Sequence, residues 1–217
     1  MYKAAIFDMD GTILDTLEDI TASVNRTMQE FGRPERTIEQ VRTYVGNGAR
    51  LLMERAAGEA TEEEIAQMLA FYEPYYEAHC RIKTRPYPGI AELLRELKAQ
   101  GVGLAVVSNK GDAAVKALAQ ELFEGLFEIA IGEREGIRRK PYPDTALEAM
   151  RVLGSAPEES VYIGDSDVDM KTAEAAGIDE IAVAWGFRGR QRLEELGAER
   201  IADTPQEVAA WILGPRA

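Results

Sequence analysis

The chain has 217 residues, 46% apolar and 29% charged, the composition of a folded globular protein rather than a disordered one. Thirty-eight Asp and Glu against 25 Lys and Arg leave a formal charge of −13, which argues against sequence-independent binding to nucleic acid or an anionic membrane. With Cys80 and His79 as the only cysteine and histidine, an intrachain disulfide and a Cys/His zinc site are excluded.

The first apolar run, Ala4–Phe7, is too short for a secretory leader, and no stretch reaches the roughly 20 apolar residues of a membrane span. A cytoplasmic protein is expected. From Thr16 to Arg81 the patterning is helical only: Leu17, Ile20, Val24, Met28 and Phe31 recur at three- and four-residue steps. Thr16-x-x-Asp19, Thr37-x-x-Gln40 and Thr61-x-x-Glu64 carry capping-box spacing. Met68 and Tyr72 fall at core positions of a later helix, and residues 81–89, with Pro86 and Pro88, read as a stiff return. Ile90, Leu93, Leu94 and Leu97 then predict a helix stopped by Gly101. Beyond it, apolar runs at 104–107, 127–131, 161–163, 181–184 and, more weakly, 200–202 alternate with helical patterns at 112–122, 144–153, 169–176 and 205–213. Strands alternating with helices predict an α/β fold, a doubly wound parallel sheet. Residues 1–15 and 82–217 would form this core, and residues 16–81 a helical cap domain inserted after the first strand.

In such a sheet, ligands bind beyond the carboxyl ends of the strands. The first strand is followed by Asp8-Met9-Asp10-Gly11-Thr12, the second by Ser108-Asn109, and the fourth by Gly164-Asp165-Ser166-Asp167-Val168-Asp169. Lys140-Pro141 opens the helix after the third. If Asp8 to Asp10 stays extended, both carboxylates share one face. Asp8, Asp10, Asp165 and Asp169 would then face a single cation, Lys140, and crowded carboxylates persist only when protonated or neutralised. A divalent metal is the natural remedy, and an all-oxygen donor set suits Mg2+. A calcium loop at 165–176 is excluded, because Met170 stands at the required glycine and Ala176 at the final glutamate.

Those four segments, in that order, resemble the four motifs of the haloacid dehalogenase-like phosphatases, over nearly the whole chain. The resemblance implies a Rossmann-like core and makes Asp8 the nucleophile, forming an aspartyl-phosphate, and Asp10 the general acid and then base. It also implies that Asp8, the main-chain carbonyl of Asp10, Asp165 and Asp169 surround Mg2+, while Thr12, Ser108, Asn109 and Lys140 bind the phosphoryl group.

Within that superfamily, Asp10 and the acidic 165–169 segment oppose a metal-free dehalogenase. A lysine-free stretch 16–81 opposes a Schiff-base phosphonatase, and a first cap helix without histidine disfavours a sugar phosphomutase. Residues 41–56, and Trp185-Gly186, are similar to phosphoglycolate phosphatases. Gly46-Asn47-Gly48 would present helix N–H groups to a small carboxylate, with Arg42 or Arg50 as a clamp. The expected partner is therefore a small phosphorylated metabolite, for a monomer or homodimer. A pyrophosphatase, a nucleotidase, and a sugar-phosphate phosphatase or β-phosphoglucomutase are the near alternatives. A phospho-accepting receiver domain is the alternative of another class, opposed by chain length and by the helical insertion.

Overall fold

The structure is a computed structural model that describes residues 1–215. Strand β1 (Ala4–Phe7) is entirely buried and begins the sheet. The short strand β2 (Leu14–Asp15) leads into α1 (Leu17–Glu30), α2 (Ile38–Tyr44), α3 (Gly48–Ala57) and α4 (Glu62–His79). Strand β3 (Arg85–Pro86) returns the chain, followed by α5 (Ile90–Ala99), β4 (Gly103–Gly111), α6 (Asp112–Leu122), β5 (Ile129–Glu133) and α7 (Asp144–Leu153). The remainder is β6 (Ser160–Gly164), α8 (Asp167–Ala176), β7 (Asp179–Val183), α9 (Gly189–Glu195), β8 (Ile201–Ala202) and α10 (Pro205–Leu213).

Six strands form one sheet in the order β5-β4-β1-β6-β7-β8, with every pair parallel. The order reverses at β1, between β4 on one side and β6 on the other. The carboxyl ends of these three strands therefore bound the crevice of a doubly wound sheet. Two apolar clusters cover its faces, one holding Ala5, Phe7 and Val106, the other Ile6, Val107 and Tyr162. This split follows from the two-residue alternation of a strand.

The helices α1 to α4 occupy the stretch whose pattern predicts only helices. Leu17, Ile20, Val24 and Met28 are buried as their spacing requires, as are Met68 and Tyr72 on α4. Thr37 and Thr61 make the predicted reciprocal caps, with Gln40 and Glu64 bonding back to their main-chain N–H groups. At Gly101 a left-handed φ of +79° lets Val102 N–H bond back to Leu97 O at 3.0 Å, ending α5 where predicted.

Other expectations are corrected. Thr16 does not cap α1; its hydroxyl donates to Asp10 Oδ1 at 2.6 Å. Asp19 is not a capping partner either. Its buried carboxylate accepts from Lys83 N–H, Thr84 N–H and the Thr84 hydroxyl, at 2.9 to 3.0 Å, tying the start of α1 to the returning chain. The antiparallel β2–β3 pair and α9 have no predicted counterpart, since two-residue strands and a helix burying Leu193 alone carry no periodic signal. Lys140-Pro141 lies in the loop ahead of α7 and does not open that helix.

Candidate active site

Past Phe7 the chain leaves the strand and turns at Gly11, whose φ of +89° admits few other residues. A side chain there would also stand 2.5 Å from Asp165 Oδ2, so glycine lets the turn and the carboxylate touch. Asp8 and Asp10 have both left the regular strand, which ends at Phe7. Asp8 projects toward Lys140, whose Nζ lies 2.7 Å from Asp8 Oδ1, 2.7 Å from Asp169 Oδ1 and 3.1 Å from the Tyr162 hydroxyl. Asp10 has other partners: its Oδ1 accepts from Thr16 and pairs with Lys110 Nζ at 2.9 Å. The expectation that Asp10 contributes its carboxylate to one shared acidic cluster is therefore overturned, and with it the expectation of a single nearby cation.

The carboxylates that do meet are Asp8, Asp165 and Asp169, all buried, each with one oxygen within 4.8 Å of the others. Fully ionised, three carboxylates against one ammonium leave two uncompensated negative charges out of water. Burial, then the charge of Asp169, push the Asp8 carboxyl well above its ordinary range, against the pull of Lys140. Asp165 is pushed up to about 7 by burial and Asp169, although Phe187 N–H, 2.6 Å from Oδ2, favours its charged form. Burial works against the Lys140 ammonium, but Asp169 and Asp8 outweigh it and hold the charge. Three hard oxygen donors in electrostatic deficit are the donor chemistry that a divalent cation such as Mg2+ satisfies, so the residues fit the metal.

A cavity of about 450 Å³ opens above this cluster, walled below by the ends of β1, β4 and β6 and above by α3 and α4. Of the residues expected from the sequence, Asp8, Asp10, Ser108, Asn109, Lys140, Asp165, Gly46 and Gly48 line it. Ser108 Oγ accepts from Lys110 N–H at 3.2 Å, which leaves its hydroxyl hydrogen to donate. Both amide hydrogens of Asn109 are taken, by Gly46 O and Lys140 O at 3.0 Å each, while its Oδ1 accepts Lys140 N–H. Its geometry is that of a brace between the Lys140 loop and the turn before α3.

Other expected residues stand apart. Asp169 lies beneath Lys140, held by the Ser166 hydroxyl at 2.6 Å. Thr12 is fully buried off the cavity, its carbonyl accepting from Trp185 Nε1 at 2.9 Å. Asn47 flanks α3 without lining the cavity, and the Arg42 side chain is exposed. Arg50 is paired on the surface with Glu54 and Glu62. Neither arginine therefore clamps a ligand in this arrangement.

Sequence reasoning missed Lys110, Phe187 and Arg188, and read Tyr72 as core although it also lines the cavity with Tyr76. Arg188 donates to Arg42 O at 3.1 Å and Val45 O at 2.9 Å, joining the loop after β7 to the end of α2. The signal available was position alone: Lys110 follows Ser108-Asn109 directly, and Phe187-Arg188 follows Trp185-Gly186.

The sequence profile described as haloacid dehalogenase-like hydrolase matches residues 5–183. The phosphoglycolate phosphatase 1 of Pseudomonas aeruginosa is 37% identical over 202 residues, covering 89% of this chain and 74% of the relative. The phosphoglycolate phosphatase of Thiobacillus denitrificans is 33% identical over 216 residues, covering 97% and 95%. A crystal structure from Lactobacillus delbrueckii subsp. bulgaricus is similar with a TM-score of 0.93 at 43% identity, over 99% of both chains. CbbY from Rhodobacter sphaeroides, crystallised in complex with phosphate, is similar with a TM-score of 0.81 at 28% identity, over 96% of both. By profile, by sequence and by fold, the chain belongs to the haloacid dehalogenase-like hydrolase family.

Proposed function

We propose that the protein hydrolyses small phosphate monoesters, 2-phosphoglycolate foremost, through a phosphorylated Asp8. One observation carries this reading: Asp8, Asp10, Ser108, Lys140 and Asp165 converge from distant stretches on a single cavity. Asp8 would attack phosphorus in line, forming an acyl phosphate as the ester oxygen leaves. Asp10 would give that oxygen a proton and afterwards take one from the water that opens the acyl phosphate, returning Asp8 as a free carboxylate. The Thr16 hydrogen bond and the Lys110 ion pair both fall on Oδ1, which leaves Oδ2 for that proton. The Ser108 hydroxyl and Lys140 would hold phosphoryl oxygens, Lys140 also reducing the repulsion between Asp8 and an anionic substrate.

Asp8, Asp165, Asp169 and the main-chain carbonyl of Asp10 would hold Mg2+, which when bound supplies positive charge against the phosphoryl group. We take residues 16–81 as a cap domain over a core of residues 1–15 and 82–217. Substrate choice follows from the relatives named phosphoglycolate phosphatase and from the enclosure of the cavity by α3 and α4. Phosphate release from 2-phosphoglycolate, pyrophosphate, nucleoside monophosphates and sugar phosphates, compared by kcat/KM, tests it. Phosphoglycolate is expected to lead. A higher value for any other ester overturns the substrate, and the absence of repeated turnover on all of them overturns the activity.

A further inference from the structure

A substrate carrying a carboxylate needs a cation on the leaving-group side of the phosphorus, and the two arginines expected to supply it point away from the cavity. Four cations line the cavity: Lys110, Arg134, Lys140 and Arg188. Among them, Lys110 is the one paired with Asp10, the group that would protonate the ester oxygen. Lys140 spends its ammonium hydrogens on Asp8, Asp169 and Tyr162. Arg134 pairs with Glu148, and Arg188 is held by main-chain carbonyls.

Lys110 differs. Its side chain is 6% exposed, and its ammonium donates to the Tyr76 hydroxyl and pairs with Asp10, leaving one of three donors unused. The Tyr76 ring lies under it at 4.3 Å, and because that hydroxyl accepts from Lys110, its own hydrogen remains to donate. Two donors thus stand together beside the aspartate that would protonate the ester oxygen. In a phosphomonoester whose carboxylate is one carbon from that oxygen, the carboxylate oxygens lie roughly 3 Å from it by ordinary bond lengths. Lys110 Nζ is 2.9 Å from Asp10 Oδ1, so an ester oxygen bonded to Asp10 brings such a carboxylate within reach of the ammonium.

We propose that Lys110, with Tyr76, is the specificity-determining pair that recognises a carboxylate one carbon from the ester oxygen. This rests on the function proposed above and deepens it. An added methylene would carry the carboxylate past the ammonium, and an uncharged leaving group would leave the two donors unpaired.

The experiment compares kcat/KM for 2-phosphoglycolate, its homologue with one more methylene, and ethyl phosphate, in the wild type, Lys110→Met and Tyr76→Phe. Lys110→Met slows all three esters, because Asp10 loses its partner; the diagnostic quantity is the ratio of phosphoglycolate to ethyl phosphate. That ratio is expected to fall about 10- to 100-fold, the range of one charge-assisted hydrogen bond, and about 3- to 10-fold in Tyr76→Phe. A ratio within threefold of wild type in Lys110→Met overturns the assignment. If that variant does not fold by circular dichroism, the same threshold applied to Tyr76→Phe decides. A wild type that prefers phosphoglycolate while the variants keep the preference refutes the Lys110–Tyr76 assignment and leaves the substrate reading standing. A wild type that prefers ethyl phosphate or the longer homologue refutes the substrate reading and this assignment with it.

Discussion

Replacing Asp165 by Asn is expected to stabilise the metal-free protein while removing its response to Mg2+. In the folded chain the Asp165 carboxyl titrates at about 7 against its ordinary 3.8, burial and Asp169 being the main causes. The folded state therefore binds this proton more tightly than the unfolded state. The contribution to stability is complete below the unfolded value and is lost as pH rises through the window from 3.8 to about 7. At about 1.4 kcal/mol per pH unit, that window withholds about 4 kcal/mol above pH 7. The figure is a ceiling, because Asp8 and Asp165 titrate as neighbours and protonation of one relieves the other. Asparagine keeps an oxygen for Phe187 N–H, now 2.6 Å from the carboxylate, but carries no charge. Calorimetry in EDTA at pH 8 should then show a rise in Tm of up to about 8–16 °C, given about 2–4 °C per kcal/mol for a chain of this size. At about pH 3.5 the difference should shrink to about 1 °C or less, because Asp165 is then largely uncharged in both the folded and the unfolded chain. Mg2+ at 100 times its Kd should add about 2.7 kcal/mol to the wild type and little to the variant. A variant no more stable than wild type in EDTA at pH 8 would refute the view that uncompensated carboxylates strain this cluster.

Asp8→Asn should lower phosphate release at least about 1,000-fold without changing the far-ultraviolet circular dichroism, and near-normal turnover would reject it as nucleophile. Asp10→Asn should lose about 100- to 10,000-fold in kcat, the usual worth of a positioned acid and base, measured at saturating substrate. Arg188→Ala removes two bonds to the carbonyls at Arg42 and Val45. It should raise KM about 5- to 30-fold and speed amide exchange across residues 42–46, as expected for about 1–2 kcal/mol of lost contact.

The sheet and most of the site were legible because they depend on local signals. An apolar run ending in Asp8 states both the strand and the edge at which it ends, whereas β4 runs on past the predicted end at Ser108 to Gly111. The cap helices were legible through three- and four-residue steps that α1 satisfies at Leu17, Ile20, Val24 and Met28. What stayed hidden depends on partners far away in sequence. Lys110 became informative only once Asp10, a hundred positions earlier, was found 2.9 Å from it. Arg188 binds main-chain carbonyls, which every residue possesses, so no side-chain pattern at Arg42 or Val45 announces the contact. Of the two glutamates that hold Arg50, Glu54 stands one turn on in α3 and was legible, whereas Glu62 reaches it only through the packing of α3 on α4. The different partners of Asp8 and Asp10 were hidden because the regular strand ends at Phe7, so the extended geometry assumed for the pair does not reach it.

The contacts joining the helical insertion to the sheet fall into two groups of different strength. At the crossing points, Asp19 accepts from Lys83 and Thr84 in a buried setting, and Leu14–Asp15 pairs with Arg85–Pro86, so the outgoing and returning chains move as one strap. Over the cavity, polar contacts are few: Asn109 to Gly46 O, Arg188 to Arg42 O and Val45 O, and Lys110 to Tyr76. At a net 0.5–1.5 kcal/mol each, these four oppose opening by about 2–6 kcal/mol, which a small ligand's binding energy can match. Each arises beside a group that the proposed chemistry uses: Asn109 next to Ser108, Phe187 and Arg188 next to each other in chain with Asp165 bound to the former, and Lys110 on Asp10. Breaking any of these four contacts would therefore loosen a group at the cavity floor.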